Sequence, residues 1–140
     1  MNKTTSVAVL LAILTVCGGC ATMGGGPSAE EQVRGMLAEW KAALEKQDID
    51  AIMRHYSDDY RGPNGGDKEQ VREFIEGARM QGYLDGLETD IENAGVTVDG
   101  DTATVTPIIF MSSFGEMGLT ADLKKEPGGQ WRIVGGEQAY

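Results

Sequence analysis

The spacing of apolar residues divides the chain into stretches of different character. Residues 6–16 form an apolar run, SVAVLLAILTV, that follows Lys3, and residues 21–28, ATMGGGPS, are small and show no period. Apolar positions then recur at helical spacing up to about residue 80, and from Gly82 onward they follow the alternation of strands. The pattern therefore predicts a leader, a flexible tether, a helical part and a β part.

Start signals and apolar stripes predict a series of helices. Ser28 followed by Glu31 is a capping-box pattern, Asp48 can cap a second, shorter helix, and Asp67 can open a third. Residues 61–66, RGPNGG, cannot continue a helix and are predicted to form a loop. The predicted buried stripes are Val33, Met36, Leu37, Trp40, Ala43 and Leu44, ending near Lys46; Ile49, Ile52, Met53 and Tyr56; and Val71, Phe74, Ile75 and Ala78.

The C-terminal half predicts an antiparallel sheet. Residues 96–98 and 102–106 alternate on either side of Asp99-Gly100-Asp101, which is typical of a hairpin. Pro107 lacks an amide proton and is expected at a bulge or an edge. Helices followed by hairpin strands predict an α+β domain, with the helices on one face of a bent sheet. Further strands are predicted at residues 87–92, 108–113, 119–125 and 130–134.

Length and charge limit the classes of function. A chain of 140 residues fits one domain, and removal of a leader of 19 residues would leave enough chain for a single core. The formal net charge of −10 repels phosphate backbones, so nucleic acid is not an expected partner. The sequence also has no glycine-rich phosphate loop after a strand, and no cofactor is expected.

The N-terminal segment resembles the leader of bacterial lipoproteins. The apolar run is far shorter than the ~20 residues that span a bilayer, and Cys17-Gly18-Gly19-Cys20-Ala21 resembles a lipobox. In that family the cysteine thiol is diacylated and the chain is cut just before it. Cys20 is preferred over Cys17, because small Gly19 precedes Cys20 whereas bulky Val16 precedes Cys17. The resemblance implies a signal peptide at 1–19, a lipidated Cys20 with its tether at 20–28, and a domain at 29–140.

This resemblance also implies a location. The expected partner is a membrane, reached through the lipid anchor, and the expected place is the bacterial cell envelope. Ala21 follows the cysteine where an aspartate would resemble an inner-membrane retention signal, so an outer membrane facing the periplasm is expected in a Gram-negative cell. Loss of Cys17 with the leader and acylation of Cys20 would leave no thiol for a disulfide or a metal site.

The folded part resembles the NTF2-like superfamily, which includes the SnoaL-like and ketosteroid-isomerase-like proteins. The resemblance covers about residues 29–137 and implies a cone in which three N-terminal helices pack on a curved antiparallel sheet. Such a cone encloses an apolar pocket that is open at its wide end, and because some relatives catalyse reactions while many only bind, the fold does not define an activity. It rests on EWKAAL at 39–44, DIDAI at 48–52, YSDDY at 56–60, VDGDTA at 98–103 and QWRIV at 130–134.

The candidate pocket residues are Trp40, Tyr56, Tyr60 and Met111. Trp40 lies on the first helical stripe, and the tyrosines are amphipathic residues that pack a ring while keeping a polar hydroxyl available. Met111 and Met117 flank a segment that would line or close the mouth of a cavity, or else form an ordinary loop.

An enzyme of the isomerase kind would need a carboxylate or imidazole base beside a tyrosine that holds an oxyanion. The candidates for the base are His55 and Asp59. Asp122 alternates with apolar neighbours on a predicted strand and is expected to be exposed. His55 is the only histidine, so no histidine metal cluster is expected.

Three hypotheses about function follow. The preferred one is an anchored, non-catalytic domain that binds a small apolar ligand or a partner protein. The alternatives are an isomerase-like or dehydratase-like enzyme that pairs His55 or Asp59 with Tyr56 or Tyr60, and a structural module that forms a homodimer through its open sheet face.

Overall fold

The computed structural model describes residues 26–140, so the predictions on the leader, on Cys17 and Cys20 and on most of the tether lie outside the described residues. No helix within this described part is long and apolar enough to cross a membrane. The elements are α1 (Ala29–Glu45), α2 (Ile49–Met53), α3 (Lys68–Met80), β1 (Glu88–Asp90), β2 (Gly95–Asp99), β3 (Thr102–Ser112), β4 (Gly115–Lys125) and β5 (Trp131–Gln138).

Capping boxes begin the two longer helices. At the start of α1, Ser28 Oγ accepts from the Glu31 amide at 3.2 Å, and the Glu31 carboxylate accepts from the Ser28 amide at 2.6 Å. Asp67 and Gln70 exchange the same pair of bonds at the start of α3, at 3.1 and 3.2 Å. Both helix starts were therefore predicted correctly, because the signals are local and satisfy amides that have no partner inside the helix.

The second helix is shorter than its apolar stripe suggested. Ile49, Ile52 and Met53 are buried on α2, but the helix ends at Met53 and Tyr56 lies beyond it. Tyr56 is buried all the same, because the chain there forms a parallel bridge to Ile133 of β5. The spacing thus identified the burial of Tyr56 correctly and its helical conformation wrongly.

The strands form one antiparallel sheet. β1 and β2 both pair with one edge of β3, β2 along its first half and β1 along its second half. β4 pairs with the other edge of β3, and β5 pairs with β4. β3 is a single strand of 11 residues where the pattern predicted two. The register shifts between Val105 and Ile108, which places Pro107 at a bulge, as expected for a residue that cannot donate to the ladder. The α+β class with helices on one face of an antiparallel sheet is confirmed.

The core lies between the sheet and the helices α1 and α2. Trp131 closes it at the start of β5, where its indole N–H donates to the Gln32 side chain of α1 at 3.3 Å. The largest fully buried side chains are Val33, Leu37, Trp40, Ile52, Val105, Ile108 and Leu123.

The third helix buries less of its stripe than the sequence predicted. Ile75 is buried and Val71 packs against the core, but Phe74 is 72% exposed. The prediction of a buried Phe74 was wrong because α3 borders an open cavity, so part of its apolar face meets a space rather than a strand.

Candidate ligand-binding cavity

A cavity of about 1090 Å³ opens between α3, the segment after α2, the end of β3 and the beginning of β4. Its walls carry more apolar than polar surface. Deep wall residues include Trp40, Tyr56, Tyr60, Leu84, Leu87, Phe110 and Leu119, and exposed residues at its mouth include Phe74, Tyr83, Phe114 and Met117. A space of this size and character suits a small apolar molecule.

Pairs of aromatic rings shape the inner wall. Trp40 of α1 meets Phe110 of β3 edge to face, with ring centroids 5.9 Å apart. Tyr56 and Tyr60 meet in the same manner at 5.4 Å. Such contacts favour the positive edge of one ring against the negative face of the other, and they hold the wall in a defined shape.

The polar groups of the inner wall are uncharged. Burial raises the pKa of the Tyr56 hydroxyl far above its usual range, the neighbouring Tyr60 raises it further, and the Trp40 indole partly opposes the rise. Burial also raises the pKa of Tyr60. Trp40 is 2% exposed, and its indole N–H lies close enough to the Tyr56 hydroxyl to act on it but makes no hydrogen bond of good geometry among the described residues. The inner end of the cavity therefore offers neutral hydrogen-bonding groups.

Met111 is not on the described cavity wall, whereas Trp40, Tyr56 and Tyr60 are. It follows Phe110 on β3, so the alternation of the strand turns it to the opposite face of the sheet. The segment after it is a tight hairpin in which Ser112 pairs with Gly115. Phe114 and Met117 from this hairpin line the mouth, so the alternative in which the segment lines a cavity fits better than an ordinary loop.

Sequence reasoning missed the aromatic pair at the mouth. The rings of Tyr83 and Phe114 are in contact in a tilted arrangement, with centroids 4.4 Å apart and an interplanar angle of 56°, although both residues are exposed. Tyr83 follows α3 and Phe114 lies in the β3–β4 hairpin, and no periodicity links positions so far apart. Only their aromatic character in turn segments could have marked them.

His55 faces a different depression from the tyrosines. A groove of about 840 Å³ between α1, α2 and the β4–β5 turn is lined by His55, Glu39, Arg54 and Arg132, among others. Burial lowers the pKa of His55, the Glu39 carboxylate opposes this, and the guanidinium groups of Arg132 and Arg54 lower it further. The structure therefore does not bring His55 together with Tyr56 or Tyr60.

The carboxylate proposed as a base, Asp59, is exposed, and so are Asp58 beside it and Asp122 of β4. Asp59 lines neither depression, and Asp58 binds Lys68 at 2.8 Å. Asp122 is exposed, as expected, and accepts a hydrogen bond from Thr104 at 3.0 Å. No carboxylate is among the groups that influence the pKa of Tyr56 or Tyr60.

Possible metal ligands are also dispersed. Across residues 26–140, no three histidine, cysteine, aspartate or glutamate side chains are grouped in a way that could hold a metal ion.

Comparison with solved structures places the fold. A protein of unknown function with a cystatin-like fold from Nostoc punctiforme is 17% identical, with 78% of this chain and 88% of that chain covered and a TM-score of 0.63. An NTF2-like protein of unknown function from Pseudomonas putida is 22% identical, covering 81% and 88% with a TM-score of 0.62. An NTF2-like protein with a cystatin-like fold from Novosphingobium aromaticivorans is 22% identical, covering 78% and 79% with a TM-score of 0.59. At these identities the likeness establishes the fold alone.

The sequence itself identifies the family. No protein with a curated description matches it significantly. The model of the SnoaL-like domain matches residues 33–137, which begin within α1 and end within β5. The chain therefore belongs to the SnoaL-like domain family, within the NTF2-like fold.

Proposed function

We propose that this protein is an envelope lipoprotein, anchored through lipid on Cys20, whose cavity binds a small apolar ligand without catalysing a reaction. The observation that carries the binding function is the cavity of about 1090 Å³ with aromatic walls and neutral polar groups at its inner end. An apolar molecule that enters such a space gains from leaving water and from contact with the rings.

The arrangement of titratable groups favours binding over catalysis. A proton-transfer enzyme needs its base within hydrogen-bond reach of the reacting atom, beside the group that stabilises the product charge. Tyr56 and Tyr60 lie in the cavity, while His55 lies in the separate groove and Asp59 is exposed. The tyrosines thus have no base beside them in the described part of the chain, and we assign them to ligand binding.

Ligand binding can be tested with an uncharged solvatochromic dye such as Nile red. Every described helix and strand lies between residues 29 and 138, so a chain that begins at residue 20 and carries Cys20→Ser retains the whole described fold. We expect saturable dye binding by this protein, and native mass spectrometry of protein from its own host should show a retained small molecule. Absence of both saturable dye binding and a retained ligand would contradict the binding function.

The anchor is tested separately by labelling cells with a radioactive fatty acid. Label should enter the natural chain and the Cys17→Ser variant, and it should be lost from the Cys20→Ser variant. The Cys17→Ser variant is the matched control, because it changes the same residue type three positions earlier. Continued labelling of the Cys20→Ser variant would contradict the assignment of the anchor.

A further inference from the structure

All charged residues that line the cavity carry the same sign. Asp67 reaches it from the cap that precedes α3, Glu73 from α3 itself, and Glu116 from the start of β4. All three are exposed, which places their charges towards the solvent side of the cavity. No lysine, arginine or histidine is among its described lining residues.

The nearest cations of α3 are bound elsewhere. Lys68 is adjacent in sequence to Asp67, but its ammonium binds Asp58 at 2.8 Å. Arg72 is adjacent to Glu73, but its guanidinium binds Asp50 at 2.9 Å. Neither of these cations lines the cavity, and Arg79, the third cation of α3, is not among its described lining residues either, so the charges that α3 presents to the mouth are carboxylates.

The inner end of the cavity supplies no opposite charge. Its polar groups are the neutral hydroxyls of Tyr56 and Tyr60 and the neutral indole N–H of Trp40. An anionic group directed inward would lose its hydration without meeting a cation, and burial of an unpaired charge is strongly unfavourable. An anionic group directed outward would meet the carboxylates instead. The cavity therefore disfavours an anion in either orientation.

On the basis of the proposed ligand-binding function, we propose that the cavity selects amphiphiles with an apolar body and a cationic, amine-type head group, which lies at the mouth beside Glu73 and Glu116. A cationic head at this position is attracted by nearby carboxylates while remaining partly hydrated. The attraction acts through solvent, so it weakens as ionic strength rises.

The test compares three ligands with the same ten-carbon chain: decyltrimethylammonium, decanol and decanoate. Displacement of Nile red from the Cys20→Ser chain that begins at residue 20 is measured at low and high salt, with the two charged ligands below their micelle concentrations and decanol below its solubility limit. At low salt we expect the ammonium compound to bind about 10-fold more tightly than decanoate, with decanol between them, and we expect high salt to reduce the difference.

Variants locate the effect at the mouth. The combined Glu73→Gln and Glu116→Gln change should bring the affinities for the ammonium compound and decanoate to within about 2-fold of each other. Glu69→Gln is the matched control, because Glu69 is an exposed carboxylate of α3 that does not line the cavity, and it should retain most of the difference.

The outcomes separate this proposal from the one on which it rests. If Nile red and decanol bind but decanoate binds as tightly as the ammonium compound, the charge selectivity is overturned and the apolar binding function stands. Selectivity that persists in the double variant likewise overturns the role of the mouth carboxylates. If neither Nile red nor any of the three ligands binds, the binding function itself fails.

Discussion

The indole of Trp40 meets the ring of Phe110 at an interplanar angle of 85°, with the centroids 5.9 Å apart. Trp40 belongs to α1 and Phe110 to β3, so this contact joins the helical layer to the sheet at the wall of the cavity. One ring pair thus contributes both to the stability of the domain and to the shape of its binding space.

Removal of the Phe110 ring should therefore lower stability and ligand affinity together. Full truncation of a buried phenylalanine costs about 3–5 kcal/mol, and because Phe110 is only partly buried we expect Phe110→Ala to reduce the free energy of unfolding by about 2 kcal/mol. Urea unfolding measures this effect, and Nile red titration should show an affinity several-fold weaker. Ile109→Ala is the control on the opposite face of β3, and it should leave dye binding unchanged. If Phe110→Ala and the natural chain bind the dye equally tightly, the assignment of Phe110 to the cavity wall is contradicted.

The capping box of α1 should be measurable by itself. Ser28→Ala removes the acceptor of the Glu31 amide, so the free energy of unfolding should fall by about 1 kcal/mol. Ser28→Asp restores an acceptor and should retain most of the stability of the natural chain. Thermal or urea unfolding of the two variants tests the prediction, and equal losses in both would show that the side-chain cap is not the cause.

His55 should make the domain less stable as the pH falls below neutrality. Its pKa is lowered in the fold by burial and by Arg132 and Arg54, with Glu39 opposing. The unfolded chain then binds the proton more readily than the folded one. The stability that the neutral His55 provides is therefore intact above its ordinary pKa of about 6.5, and it is lost as the pH falls towards the pKa of His55 in the folded chain. The free energy of unfolding, measured across this pH range, should decrease less steeply with falling pH for His55→Gln than for the natural chain. Parallel curves for the two proteins would contradict the prediction.

Tyr56 should have the opposite pH dependence on the alkaline side. Its pKa is raised by burial and by Tyr60, so the folded chain holds the hydroxyl proton more tightly than the unfolded chain. The stability that the protonated Tyr56 hydroxyl provides is present below the ordinary tyrosine pKa of about 10 and is lost as the pH rises above it. Tyr56→Phe should lose less stability than the natural chain as the pH rises. Near-ultraviolet absorbance should show the same number of ionising tyrosines in the folded variant as in the folded natural chain, because Tyr56 does not ionise while the chain is folded. If the folded Tyr56→Phe variant shows one ionising tyrosine fewer than the folded natural chain, the raised pKa of Tyr56 is contradicted.

Local signals were predictable wherever the chain interacts with itself over a few residues. Ser28 and Asp67 satisfy amides three residues away, and Gly100 adopts a positive φ of 59° in the β2–β3 turn that the sequence predicted. Features that depend on what covers a residue were predicted less well. Phe74 has the spacing of a buried position, but the element that would cover it is replaced by the cavity.

The candidate site shows the same division. Trp40, Tyr56 and Tyr60 line the cavity, whereas Met111 faces away because the register shift near Pro107 sets which residues of the later half of β3 face inward. A single-residue change in register exchanges the faces of every following residue, and sequence alternation on its own leaves this choice open.

The sequence by itself determined the helix starts, the hairpin turn, the α+β order of elements and an irregularity at Pro107, because each depends on backbone chemistry within a few positions. The tertiary structure decided that His55 and the tyrosines face separate depressions, that the rings of Tyr83 and Phe114 are in contact, and that Glu73 and Glu116 share one mouth. Tyr83 and Phe114, like Glu73 and Glu116, come from segments distant in the chain, and only the fold brings them together. His55 and Tyr56 are neighbours in the chain, and the fold decides which depression each one lines because the two depressions are built from different elements.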